Sequence, residues 1–94
     1  MENAMIKLKK PLSNGKDEIV LDFDSINGYT LIQCEKDAKR EDPTIVVPNS
    51  AQIYLARVAA AAADVRYDDI CALPGGAFNK VLSEVRSFLL NMDE

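Results

Sequence analysis

The sequence predicts an α+β domain, an N-terminal β-hairpin packed against a small bundle of three to four helices. Three observations predict it. Asn14-Gly15 sits between two segments of alternating apolar and polar residues, which favours a two-residue hairpin turn. Residues 25–94 carry cap residues followed by helix-forming runs. Phe78, Val81, Leu82, Val85, Phe88, Leu89 and Met92 recur at the i, i+3, i+4, i+7 spacing of a single helical stripe. With 94 residues, 48% apolar and 28% charged, the expectation is one soluble domain with one core, residues 1–24 forming the hairpin and 25–94 the helical part.

The turn sets an expected register. If Ser13 faces Lys16, then Leu8 falls opposite Leu21, Lys7 opposite Asp22 and Ile6 opposite Phe23. Ile6, Leu8, Ile19, Leu21 and Phe23 then share one apolar face. A lone hairpin is marginal in water, so the helices must cover that face.

Asn27-Gly28 marks the next turn, and Thr30 with Gln33 forms a capping-box pair that opens a helix to about Arg40. Leu31, Cys34 and Ala38 form its inner stripe. Glu35 to Asp42 holds seven charged residues in eight, with mixed signs, and reads as a solvated helix end. Asp42-Pro43 to Pro48 is a loop in which Thr44 to Val47 is extended or mobile. Asn49-Ser50 supplies the N-cap of a second helix, Ala51 to Val65, centred on Ala59 to Ala63. Little of that helix is polar beyond Gln52, Arg57 and Asp64, so it is either the central helix or part of an interface. A short helix from Asp68 to Leu73, with Asp68 as its cap, stops at Pro74-Gly75-Gly76, which reads as a linker. The last helix runs from about Ala77 to Asn91.

Charge and residue usage narrow the chemistry. Eleven Lys and Arg against 15 Asp and Glu give a net charge of -4, the wrong sign for general nucleic-acid binding. There is no His and no Trp, which removes the commonest general base and metal ligand and the strongest stacking side chain. Cys34 and Cys71 are too few and too far apart for a disulfide scaffold or a CxxC site and read as reduced thiols. Asp68-Asp69 and Asp22/Asp24 lack calcium-loop spacing, and Gly75-Gly76 lacks the Lys and Ser of a phosphate loop. The expectation is a non-enzyme with no catalytic residue, no cofactor and no metal. No run approaches the ~20 apolar residues of a membrane span and the first ten residues lack a signal-peptide pattern, so the cytoplasm is the expected compartment.

The order of parts also carries a resemblance. The segments Ile6 to Pro11 and Ile19 to Phe23, the link Ile26-Asn27-Gly28-Tyr29-Thr30, and the ending Tyr67-Asp68-Asp69-Ile70, Leu73-Pro74 and Val81 to Leu89 resemble the small tail assembly chaperones of long-tailed bacteriophages and prophages. The resemblance covers nearly the whole chain. It implies a protein made in the infected bacterium and absent from the mature virion, with the tape-measure protein and the major tail protein as partners. It also implies that apolar stretches of the tape measure are kept soluble while the tail tube assembles.

Physical reasoning points to the same kind of work. A binder of a long apolar helix needs apolar helical faces and enough charge to stay soluble. The excess of apolar helix over what a two-stranded hairpin can cover singles out Tyr54, Val58, Ala62, Phe88, Leu90 and Met92 as the protein-binding surface, for self-association into a homo-oligomer or for the partner helix. The alternative is a small acidic phage-encoded adaptor or inhibitor of a host protein. Lys7, Lys9, Lys10, Lys36, Lys39 and Arg40 interrupt the acidic rows that a DNA mimic would need.

Overall fold

A computed structural model of the chain describes residues 4–9, 11–12, 15–45 and 51–90. The elements run β1 (Ala4–Lys7), β2 (Glu18–Leu21), a 3-10 turn (Phe23–Ser25), α1 (Gly28–Glu41), α2 (Gln52–Ala63), α3 (Tyr67–Cys71) and α4 (Gly75–Leu90). This is the expected α+β arrangement of an antiparallel hairpin and four helices.

The hairpin keeps the expected faces but not the expected register. Leu21 pairs with Ala4 and Ile19 with Ile6, whereas a two-residue turn would set Leu21 against Leu8, four residues further on. A shift of four is even, so Ile6, Ile19 and Leu21 still point the same way, and all three are buried. The cause lies between Leu8 and Leu12. Leu8 N–H donates to Asp17 O (2.8 Å) and Leu12 N–H to Lys16 O (2.7 Å), so the four steps from Leu8 to Leu12 stand against the single step from Asp17 to Lys16. Pro11 has no N–H to give a ladder, which makes this the place where pairing breaks. Gly15 closes the loop at φ 84°, a left-handed conformation that glycine takes at no steric cost, and its N–H donates to Leu12 O (2.9 Å). Ser13 and Asn14 lie outside the described residues.

Asn27, not Thr30, caps α1. Its Oδ1 accepts from Thr30 N–H (3.0 Å) and from the Thr30 hydroxyl (3.1 Å), while Gln33 donates instead to Asp37 (3.0 Å). Asn is at least as good a cap as Thr, and starting three residues earlier adds nearly a full turn. Cys34 and Ala38 are buried and Leu31 half-buried, as the stripe required. Thr44 N–H and hydroxyl both bond Asp42 Oδ1, and Ile45 packs against the core. The expected piece from Thr44 to Val47 is otherwise outside the described residues, as are Asn49 and Ser50.

The N-cap position of α2 falls on Ala51, with no side-chain cap. The helix ends at Ala63, two residues short of the expected Val65, because Asp64 turns left-handed (φ 55°, ψ 48°) and Val65 N–H reaches back to Ala60 O (3.1 Å). Along α2, Tyr54, Leu55, Ala56, Val58, Ala59, Ala60 and Ala62 are all buried. It contacts α1, α3, α4 and β2 and is the central helix. α3 starts after Arg66, so Asp68 lies inside its first turn rather than capping it. Gly75-Gly76 is not a linker: Phe78 N–H bonds Pro74 O (2.9 Å), and both glycines form the first turn of α4. Pro74 fits there because the first amides of a helix need no intrahelical partner. Asn91 lies outside the described residues. Val81, Leu82, Val85 and Phe88 line the inner side of α4, and Phe88 stacks on Phe23 (centroids 4.4 Å apart, planes 5° apart).

The two registers are separable by cross-linking. In a Cys71→Ser background, Met5→Cys with Val20→Cys is expected to form an intramolecular disulfide, since these residues oppose each other, whereas Lys7→Cys with Asp22→Cys is not. Mass spectrometry of the oxidised proteins reads the difference.

Candidate functional site

Most of the surface expected from sequence is interior. Tyr54, Val58, Ala62 and Phe88 are 4%, 0%, 4% and 7% exposed and belong to the single hydrophobic core. The correction has a simple cause: α2 is apolar all round because it is enclosed all round, and its alanines let four elements close on it. Leu90 alone of the set is at the surface, 77% exposed, and Met92 lies outside the described residues.

The exposed large apolar side chains are elsewhere. Tyr29 (87%) and Ile32 (56%) stand one turn apart on α1, and Met5 and Val20 form a cross-strand pair on the outer face of the hairpin. A sequence signal for them exists. Tyr29 and Ile32 are out of phase with the Leu31, Cys34, Ala38 stripe, as Met5 and Val20 are with the alternation of β1 and β2. On another flank of α1, Gln33, Arg57, Ala60, Ala61 and Tyr67 are among the residues that line an open groove of about 300 Å³.

Arg57 is the most constrained polar side chain. Its guanidinium donates to Glu41 Oε1 (2.8 Å) and lies 3.9 Å from the centre of the Tyr67 ring, and Tyr67 OH donates to Glu41 Oε2 (3.3 Å). This clasp joins the end of α1 to α2 and α3. It qualifies the expected solvated helix end, in which Glu35 with Lys39 and Asp37 with Arg40 are ordinary exposed pairs of small energetic weight. Burial, then the Cys71 thiol and the Glu41 carboxylate, push the Tyr67 hydroxyl well above the usual tyrosine range. Burial likewise raises the Cys34 thiol, with Asp37 adding to the effect and Arg57 opposing it. Cys71 is exposed, and both cysteines are free.

Among the described residues no group of three or more His, Cys, Asp or Glu converges on a point, and no helix is long and apolar enough to cross a membrane. Comparison of the chain with protein-family models, with curated proteins and with solved structures finds no match.

The clasp generates a pH dependence. Tyr67 is held neutral in the folded state, so its contribution is fully present below the ordinary tyrosine pKa of about 10 and is lost as pH rises above it, because the unfolded chain ionises first. Tyr67→Phe is expected to cost about 1 kcal/mol at neutral pH and to flatten the fall in stability above about pH 10. Urea unfolding at a series of pH values measures both. Arg57→Ala is expected to cost about 1–2 kcal/mol through lost stacking and pairing.

Proposed function

We propose that this protein is a non-enzymatic tail assembly chaperone of a long-tailed phage or prophage. It binds an apolar helix of the tape-measure protein, helps bring the major tail protein to the growing tube, and works in the cytoplasm of the bacterial host without entering the mature virion. The observation that carries this reading is the Tyr29–Ile32 pair, two large apolar side chains at helical spacing on an exposed face of α1, where solvation alone would favour polar residues. A helix presenting such anchors packs against a second amphipathic helix by inserting them between its turns. The net charge of -4 suits a protein that works in many copies beside an apolar client. The resemblance of the hairpin, the Ile26–Thr30 link and the Tyr67–Leu89 ending supplies the identity of that client.

Co-expression with segments of a long-tailed phage's tape-measure protein tests the reading. The wild-type chain is expected to co-purify with a segment, and Tyr29→Glu combined with Ile32→Lys to weaken binding by about 10–100-fold, the loss of one or two modest anchors. Because both side chains are exposed, circular dichroism is expected to show unchanged helix content. No co-purification, or binding indifferent to the double substitution, overturns it; a specific stoichiometric complex with a host enzyme would favour the adaptor reading instead.

A further inference from the structure

The hairpin is two strands wide, so each strand has an outer edge. Leu8 N–H donates to Asp17 O in the same register as the pairs Ile6–Ile19 and Ala4–Leu21. Even-numbered residues of β1 therefore turn their N–H and C=O toward β2, and Met5 and Lys7 turn theirs outward. By the same alternation Asp22 N–H points away from β1, and it is satisfied: it donates to Ala62 O at the end of α2 (3.0 Å). Just past the end of β2, the chain is thus tied to a helix at Asp22. Along β1, Met5, Ile6 and Lys7 form one wall of an open groove of about 360 Å³ whose other wall is Lys80, Ser83 and Glu84 of α4. Among the described residues no backbone acceptor meets the Met5 or Lys7 N–H.

We propose that a second copy of this chain fills this groove, β1 pairing antiparallel with β1 of the second copy about a two-fold axis through Ile6. The register follows from charge. Outward-facing residues must pair with outward-facing residues, and opposing Met5 to Lys7 of the second copy gives four main-chain hydrogen bonds while keeping the two Lys7 side chains from facing each other. The flanks agree with it. Met5 to Lys7 and Lys80 to Glu84 are opposite walls of one groove, so an axis through Ile6 falls near the middle of the Lys80–Glu84 segment. The two α4 helices then run antiparallel on the same side of a four-stranded sheet, and Lys80 of each copy meets Glu84 of the other. Such a contact is isologous, self-complementary in charge, and closes at two copies. Ser83, between the two charges, is short enough to let the helices approach. A foreign strand would gain the hydrogen bonds, whereas a second copy adds to them the complementary Lys80 and Glu84 of its own α4.

Neither Tyr29 nor Ile32 takes part, so the inference stands apart from the tape-measure reading. Sedimentation equilibrium of the full chain from about 1 µM to about 1 mM is expected to show a reversible monomer–dimer equilibrium. Lys80→Glu and Glu84→Lys, each alone, are expected to weaken the dimer about tenfold or more, and the two combined to restore it, because the swapped pair is again complementary across the axis. Lys7→Pro removes an outward N–H that the hairpin itself does not use and is expected to raise the dissociation constant by a similar factor, with helix content unchanged. A chain that stays monomeric at about 1 mM overturns the proposal and leaves the edge to an extended segment of another protein. A dimer indifferent to the single charge reversals, or not restored by the double one, overturns it equally.

Discussion

The structure depends on one packing constraint, the enclosure of α2. Seven of its side chains are buried in a helix of 12 residues, and four of the seven are alanines. Alanine stabilises a helix but contributes little area, so an Ala-rich helix gains burial only if its neighbours come close on most sides. α1, α3, α4 and β2 do so, while the large side chains Leu55, Val58, Ile70, Val81 and Val85 fill the space between them. A bulkier α2 would push the layers apart; an exposed one would leave the hairpin uncovered.

Polar interactions then fix the outer parts of this arrangement instead of supplying its bulk. The carbonyl of Ala62 holds Asp22 N–H, so β2 is registered on the helix that it covers. At the other side of α2, Arg57 ties Glu41 and Tyr67 together, and α1 and α3 are held at one point of the central helix. No buried residue among those described is polar or charged, which leaves electrostatics to the rim. Tyr29 and Ile32 of α1 and Met5 of β1 lie outside both the core and these polar ties and are exposed.

How much of this was legible in the sequence differs by level. Strand faces were, because the period of two survives any even slip; the register was not, because the steps from Leu8 to Leu12 outnumber those from Asp17 to Lys16 beside Pro11, which has no N–H for a ladder. Helix positions were legible to within a few residues, yet the caps moved, since Asn27 competed with Thr30 and Pro74 could start a helix as readily as end one. The expected surface failed for a different reason. An apolar helix reads the same whether it is enclosed or sticky, and only the tertiary contacts of α2 decide that Tyr54, Val58 and Ala62 are inside. Tyr29 and Ile32 were readable in principle as residues out of phase with their own stripe.

The stack of Phe23 on Phe88 joins residues 65 positions apart (88 less 23), and it bears on how the chain is made. At ordinary ribosomal speeds of about 5–20 residues per second, Phe23 leaves the peptidyl-transferase centre roughly 3–13 s before Phe88 is added. Over that interval the nascent hairpin has no α4 to shelter Ile6, Leu21 and Phe23, and loop-closure entropy discourages it from holding its form alone. The hairpin's apolar face therefore waits for the last helix to be translated before it gains its final cover, and the order of synthesis runs opposite to the order in which that part of the core can close.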